Sequence, residues 1–126
     1  MPDEAVSVLV VDDQAPFRAA ARLVVRSTLG FEVVGEAKSG EEALAAVAEL
    51  RPKLVLMDIN MAGMGGIAAT KRISNEYGGT SVILLSTYDE DDLPADARTC
   101  GAVAYVHKER FGPDVLEDTW RQRPAT

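Results

Sequence analysis

Lys53-Leu54-Val55-Leu56-Met57-Asp58 runs directly into Ile59-Asn60-Met61-Ala62-Gly63-Met64-Gly65-Gly66. Four apolar residues, an acid and a glycine-broken loop read as a buried strand that delivers a carboxylate to a sheet edge. The pattern has an earlier counterpart, where Val8-Leu9-Val10-Val11 ends in Asp12-Asp13. Asp12, Asp13 and Asp58 at the ends of two buried strands would repel one another, and desolvation adds to that cost. A divalent cation is the obvious means of neutralising them.

Outward from this stretch, apolar runs alternate with helical patterns. Val6 to Val11 is the first strand. Ala15 to Leu29 reads as a helix with Phe17, Ala20, Ala21, Val24 and Thr28 on its inner face, stopped by Gly30. Phe31 to Ala37 is a second, more exposed strand. Ser39-Gly40-Glu41-Glu42 is a capping box that opens a helix burying Ala43, Leu44, Val47 and Leu50, and Pro52 ends that helix. Lys53 to Asp58 is the third strand, Gly65 to Tyr77 the third helix, and Ser81 to Ser86 the fourth strand. Asp89 to Thr99 is expected to form a short fourth helix with a weak apolar face, Leu93 and Ala97, and Pro94 near its start. Ala102 to Val106 is the fifth strand. Pro113 opens a fifth helix carrying Val115, Leu116 and Trp120, and Pro124 closes the pattern.

Strict alternation of strand and helix implies parallel strands joined by right-handed crossovers, with helices on both faces. For five strands the common solution is a flavodoxin-like (βα)5 doubly wound sheet of order 2-1-3-4-5, with its ligand site where strands 1 and 3 end. Those are the strands that end in Asp12-Asp13 and Asp58, so the fold and the acids point to one place. Ser86 and Lys108 fall at the same edge.

The chain has 126 residues, 47% of them hydrophobic, which suits one domain with a real core. A net charge of −7 argues against direct nucleic-acid binding by this segment. The single cysteine, Cys100, allows no internal disulfide and fits a reducing cytoplasm. No apolar run approaches the roughly 20 residues of a membrane span, so no membrane partner is expected.

Val10-Val11-Asp12-Asp13, Leu56-Met57-Asp58-Ile59-Asn60-Met61, Leu84-Leu85-Ser86-Thr87 and Gly101-Ala102-Val103-Ala104-Tyr105-Val106-His107-Lys108 together resemble the receiver domain of two-component response regulators. Asp12-Asp13-Gln14-Ala15-Pro16-Phe17-Arg18 and Ala104-Tyr105-Val106-His107-Lys108-Glu109 are similar to its NarL/FixJ (LuxR-type) subgroup. The resemblance implies that Asp58 accepts a phosphoryl group from a sensor histidine kinase. It implies Mg²⁺ (or Mn²⁺) held by Asp13, Asp58 and the backbone carbonyl of Asn60, with Asp12 acting through water. Ser86 and Lys108 would bind phosphoryl oxygens. Ser86 and Tyr105 would switch the face made by the fourth helix, fifth strand and fifth helix. Asn60, Thr87 and Tyr88 would tune access of water.

The physics agrees with these roles. Phosphoryl transfer needs positioning and charge neutralisation, and an ionised Asp requires no separate base. Each residue also has a plainer reading: Asp12-Asp13 as a helix cap, Asp58 as a turn former, Ser86 as structural, Lys108 as a surface cation, Tyr105 as a strand aromatic. His107, the sole histidine, lacks the companions of a transition-metal site. Asp89-Glu90-Asp91-Asp92 reads as a solvated helix start.

Ala62 stands where receivers commonly have Pro and Gly65 where Asp is frequent, so the loop after Asp58 is expected to be mobile without metal. Tyr88 suggests shielding and a longer-lived phosphoryl state. A haloacid-dehalogenase-type phosphatase is disfavoured because the acidic pair comes first and Asp58-Ile59-Asn60 lacks a second acid. A pseudo-receiver used only for docking is the other alternative. Residues 1–122 read as the receiver and 123–126 as the start of a linker or tail. DNA would be reached only through a C-terminal output domain absent from the chain, and a homodimer on phosphorylation is left open.

Overall fold

A computed structural model describes residues 5–123. Five strands form one parallel sheet: β1 (Val6–Val11), β2 (Phe31–Ala37), β3 (Leu54–Asp58), β4 (Ser81–Ser86) and β5 (Ala104–His107). Their order is β2-β1-β3-β4-β5, as expected. The α-helices are α1 (Ala15–Arg26), α2 (Gly40–Leu50), α3 (Gly66–Glu76) and α4 (Pro113–Arg121).

Period-2 alternation splits the strand residues between two cores. Leu9, Val11, Val55, Met57, Val82 and Leu84 face one side, with Ala43 and Val47 of α2 and Ala69 and Ile73 of α3. Val8, Val10, Leu54, Leu56, Ile83 and Leu85 face the other, with Ala21 and Val25 of α1 and Leu116 of α4. Strands covered on both faces need no polar side, which is why their sequences are continuous apolar runs.

Several expectations are corrected. The fourth helix is not an α-helix: Asp89 to Thr99 holds two 3-10 turns, Glu90–Asp92 and Ala95–Arg98, separated at Pro94. Proline removes a backbone donor and disfavours helical geometry before it. The buried Ala97 alone does not offset that. The first helix ends at Arg26 rather than Leu29, and Leu29 is 93% exposed. Val25, not Ala20, lies in its core stripe. Leu50 is 40% exposed instead of inward.

The capping box is present. Ser39 Oγ accepts from the Glu42 N–H at 3.1 Å, and Glu42 reaches back to the Lys38 N–H at 3.0 Å. The fifth strand starts two residues later than expected and runs on to His107. Pro124 lies outside the described residues.

Candidate functional site

Parallel register builds the site. Val11 pairs with Met57, which places Asp12 beside Asp58 at the carboxyl ends of β1 and β3. Asp58 pairs with Leu85, and Ser86 with His107, so Ser86 and Lys108 arrive at the same edge. The Ile59 N–H donates to the Leu85 carbonyl at 3.1 Å, extending the β3–β4 ladder past Asp58.

Asp12 is fully buried and Asp58 is 5% exposed, while Asp13 is open to solvent. One oxygen from each of these three carboxylates lies within 4.8 Å of the others. Lys108 Nζ sits between the buried pair, 2.7 Å from Asp12 Oδ2 and 3.3 Å from Asp58 Oδ1. Its ammonium also lies 4.4 Å from the Phe17 ring centroid, a cation–π contact that helps orient the long side chain. Burial works against the Lys108 charge. The hydrogen bond to Asp12 and the charges of Asp58 and Asp12 outweigh it and raise its pKa. Lys108 is therefore a fixed ammonium rather than a solvated surface lysine.

Asp58 is pushed up to about 6 from 3.8, first by burial and then by the neighbouring Asp12 charge. Lys108 and the Asn60 backbone N–H pull the other way without restoring it. One ammonium against three carboxylates leaves the cluster short of positive charge. The donors are all oxygen and Asp13 faces solvent, so the residues fit a hard cation that keeps some of its waters, such as Mg²⁺. The capping alternative for Asp12-Asp13 does not describe α1. Its N-cap is Gln14, with no side-chain cap. Asp12 Oδ1 instead accepts the Gln14 N–H at 2.8 Å, a local turn that aims the carboxylate.

Ser86 is 3% exposed, and its Oγ accepts the Tyr88 N–H at 2.8 Å. Thr87 and Tyr88 are exposed beside it, and Tyr88 is 38% exposed. The Tyr105 hydroxyl oxygen is buried, and the ring joins the cluster that holds Leu84, Ala97 and Cys100. Arg98 lies over that ring at 5.7 Å. His107 Nδ1 accepts the Glu109 N–H at 3.1 Å, which uses one ring nitrogen locally.

Three supports were missed in the sequence. Arg18 donates to the Asp12 backbone carbonyl at 2.7 Å and pairs with Glu36 at 3.3 Å, tying α1 to β1 and β2. Gly66 is buried, and a Cβ there would overlap the Asp58 carbonyl oxygen. Glu41 Oε2 accepts the Met64 N–H at 3.2 Å across 23 residues of sequence. An Arg in the first turn of the helix that follows Asp12-Asp13 and a Gly at the start of α3 are the faint signals for the first two.

Comparison with known proteins agrees with this geometry. A model of the response regulator receiver domain matches residues 8–120. The chain is 37% identical over 111 residues to the response regulator UvrY of Escherichia coli, covering 88% of this chain and 51% of that protein. It is 37% identical over 103 residues to the response regulator GacA of Pseudomonas protegens, covering 82% of this chain and 48% of that protein. The chain thus spans about half the length of the curated relatives it matches. Among solved structures, the signal receiver domain of the response regulator NarL from Mycobacterium tuberculosis superposes with a TM-score of 0.85 at 30% identity. That match covers 96% of this chain and all (100%) of that one. The likeness to NarL bears out the subgroup resemblance read from the sequence. With acids, hydroxyl and ammonium on the strand ends of a 2-1-3-4-5 sheet and the match spanning both ends of that sheet, the chain belongs to the response regulator receiver domain family.

Proposed function

We propose that Asp58 is the phosphoacceptor of this receiver and that its phosphorylation controls an output through the β4–β5 side of the sheet. The observation that carries the reading is the placement of the buried Asp58 carboxylate 3.3 Å from Lys108 Nζ and within one cluster with Asp12 and Asp13. Receiver domains are signalling modules rather than enzymes in the usual sense, and their partners are histidine kinases.

An Asp58 carboxylate oxygen attacks the phosphorus of a kinase phosphohistidine. The P–N bond breaks and an acyl phosphate forms on Asp58. With its pKa at about 6, Asp58 is mostly ionised at pH 7.5 and needs no base. Bound Mg²⁺ (or Mn²⁺) would offset charge on the transferring group. Asp13, Asp58 and the Asn60 carbonyl would hold it, with Asp12 reaching it through water. Lys108, a point charge on a tethered stem, turns from Asp58 to a phosphoryl oxygen. Ser86 donates its hydroxyl to another phosphoryl oxygen while still accepting from the Tyr88 N–H.

Movement of Ser86 toward the phosphoryl group favours the inward Tyr105 ring. The new charge thereby biases the segment 89–99, β5 and α4. Residues 1–122 act as the receiver, and 123–126 begin a linker. A DNA-binding output domain, as the relation to transcription regulators suggests, would lie outside this chain. Among the described residues no helix is long and apolar enough to cross a membrane. The cytoplasm is the proposed location.

The test is intact mass after incubation with Mg²⁺ and acetyl phosphate. One added phosphoryl group is expected on the parent protein and none on Asp58→Asn. Equal uptake by Asp58→Asn would place the acceptor elsewhere. No uptake by the parent, from acetyl phosphate or a kinase, would leave the docking-only alternative.

A further inference from the structure

We propose that Glu41, on the first turn of α2, is a positioning residue that clamps the loop 60–65 and so presets the Asn60 backbone for a cation. The inference rests on the reading of Asp58, Asp13 and Asn60 as the cation site. The loop has firm ends. Asp58 closes β3, and the Gly66 N–H donates to the Ile59 carbonyl at 3.0 Å. Between these ends the chain turns through Gly63, whose φ is +75°.

Glu41 meets the loop there. Its Oε2 accepts the Met64 N–H at 3.2 Å, and a Cβ on Gly63 would lie 3.1 Å from the same oxygen. The adjacent Gly40 is buried, and a Cβ on it would lie 2.5 Å from the Met64 carbonyl oxygen. The loop backbone therefore rests directly on the N-terminal turn of α2, and only glycine at position 40 permits that approach. Ser39 and Glu42 fix this turn by capping, so Glu41 projects from a rigid base. A carboxylate at a helix N-terminus is also favoured by the helix dipole.

Ala62 leaves the backbone ahead of Gly63 without the restriction a proline would impose at that turn position. Glu41 supplies from α2 a restraint that the loop's own sequence lacks. The role is one of order rather than charge. A loop already held in place costs less conformational entropy when its carbonyl is fixed on a cation.

The experiment compares the parent with Glu41→Ala and Glu41→Gln. Alanine is a good helix former at this exposed position, and glutamine keeps an acceptor oxygen without the charge. In metal-free protein, amide hydrogen exchange at Met64 is expected to quicken about five-fold in Glu41→Ala, the scale of one ordinary net hydrogen bond. Exchange in Glu41→Gln should stay within about two-fold of the parent on the same reasoning. Mg²⁺ affinity by calorimetry should fall by a similar factor in Glu41→Ala, while phosphoryl uptake at saturating Mg²⁺ stays close to the parent's. Unchanged Met64 exchange in Glu41→Ala overturns the clamp. Equal loss of affinity in Glu41→Gln and Glu41→Ala overturns it too, because charge and not the hydrogen bond would then be the cause. If the parent itself binds no Mg²⁺, the cation-site reading fails, and Met64 exchange still reports on the contact.

Discussion

Val8 to Val11 of β1 and Leu54 to Asp58 of β3 are buried at every position, and α1, α2 and α3 pack over them. Across the sheet, every residue of β5 from Ala104 to His107 is only half-buried, and two 3-10 turns stand where a helix was expected. The two regions share one sheet and one edge but are held to different standards. The first holds the buried Asp12 and Asp58 carboxylates in place beside the exposed Asp13. The second carries Tyr105 and borders a groove lined by Tyr88, Asp89, Val106, His107 and Arg110. Regions that must move are drawn from the less tightly packed part of a structure. On the proposed function, the difference would divide the molecule into a part that binds and a part that responds.

Core truncation should expose this division most strongly. Leu56 is fully buried in β3, and Leu56→Ala is expected to cost about 2–5 kcal/mol. Val106→Ala, on half-buried β5, should cost about 1 kcal/mol. Urea unfolding of both variants measures the gap. Equal losses would mean that β5 is anchored as firmly as β3, and the comparison would break.

The next effect is electrostatic and belongs to the binding side. Asp58 titrates at about 6 in the fold against an ordinary 3.8. Between those values the folded state binds more protons than the unfolded state, so stability falls as pH rises through the window. The penalty is absent below about pH 4 and complete above about pH 6. Asp58→Asn removes a charge whose raised pKa already includes the attraction of Lys108, for a gain of about 3 kcal/mol at pH 7.5 that fades toward pH 4. Asp89, whose side chain is 84% exposed on the other side, is the control. Asp89→Asn should change stability by less than about 0.5 kcal/mol at any pH. Thermal unfolding without divalent cations from pH 4 to 8 decides the matter. A gain for Asp58→Asn that does not vary with pH would show that burial does not strain this carboxylate.

The same division governs what the sequence could reveal. β1, β3 and β4 announce themselves because burial on both faces leaves uninterrupted apolar runs, and parallel register then brings Asp12, Asp58, Ser86 and Lys108 together. Asp89 to Thr99 reads as a helix because Leu93 and Ala97 mimic a helical stripe, whereas Pro94 interrupts the backbone ladder that a helix needs. Periodicity places Leu50 inward and extends the first helix to Leu29, yet Leu50 stands at a helix end, where the stripe has turned away from the sheet, and Leu29 lies past one. Glu41 could not be found by motif at all. Its partner Met64 is a backbone N–H, which every non-proline residue offers, so only the folded chain reveals the pairing. Arg18 on the Asp12 carbonyl is hidden for the same reason.

The smallest effect lies where the two regions meet. Tyr88 is 38% exposed and follows Ser86 by two residues, and its backbone N–H is already engaged by Ser86 Oγ. Tyr88→Ala keeps that hydrogen bond and removes only the ring, so any change isolates the side chain as a screen. If the ring slows the approach of water to the acyl phosphate, its removal should shorten the phosphoryl lifetime about three-fold, a change of less than 1 kcal/mol in the barrier. The rate of uptake from acetyl phosphate should stay the same. Thr87→Ala, an exposed neighbour, and Asn60→Ala, on the β3 side, test whether screening is shared among the three. A lifetime unmoved by Tyr88→Ala but shortened by Asn60→Ala would place water control on the binding side. The β4–β5 side would then respond to the phosphoryl group without governing how long it lasts.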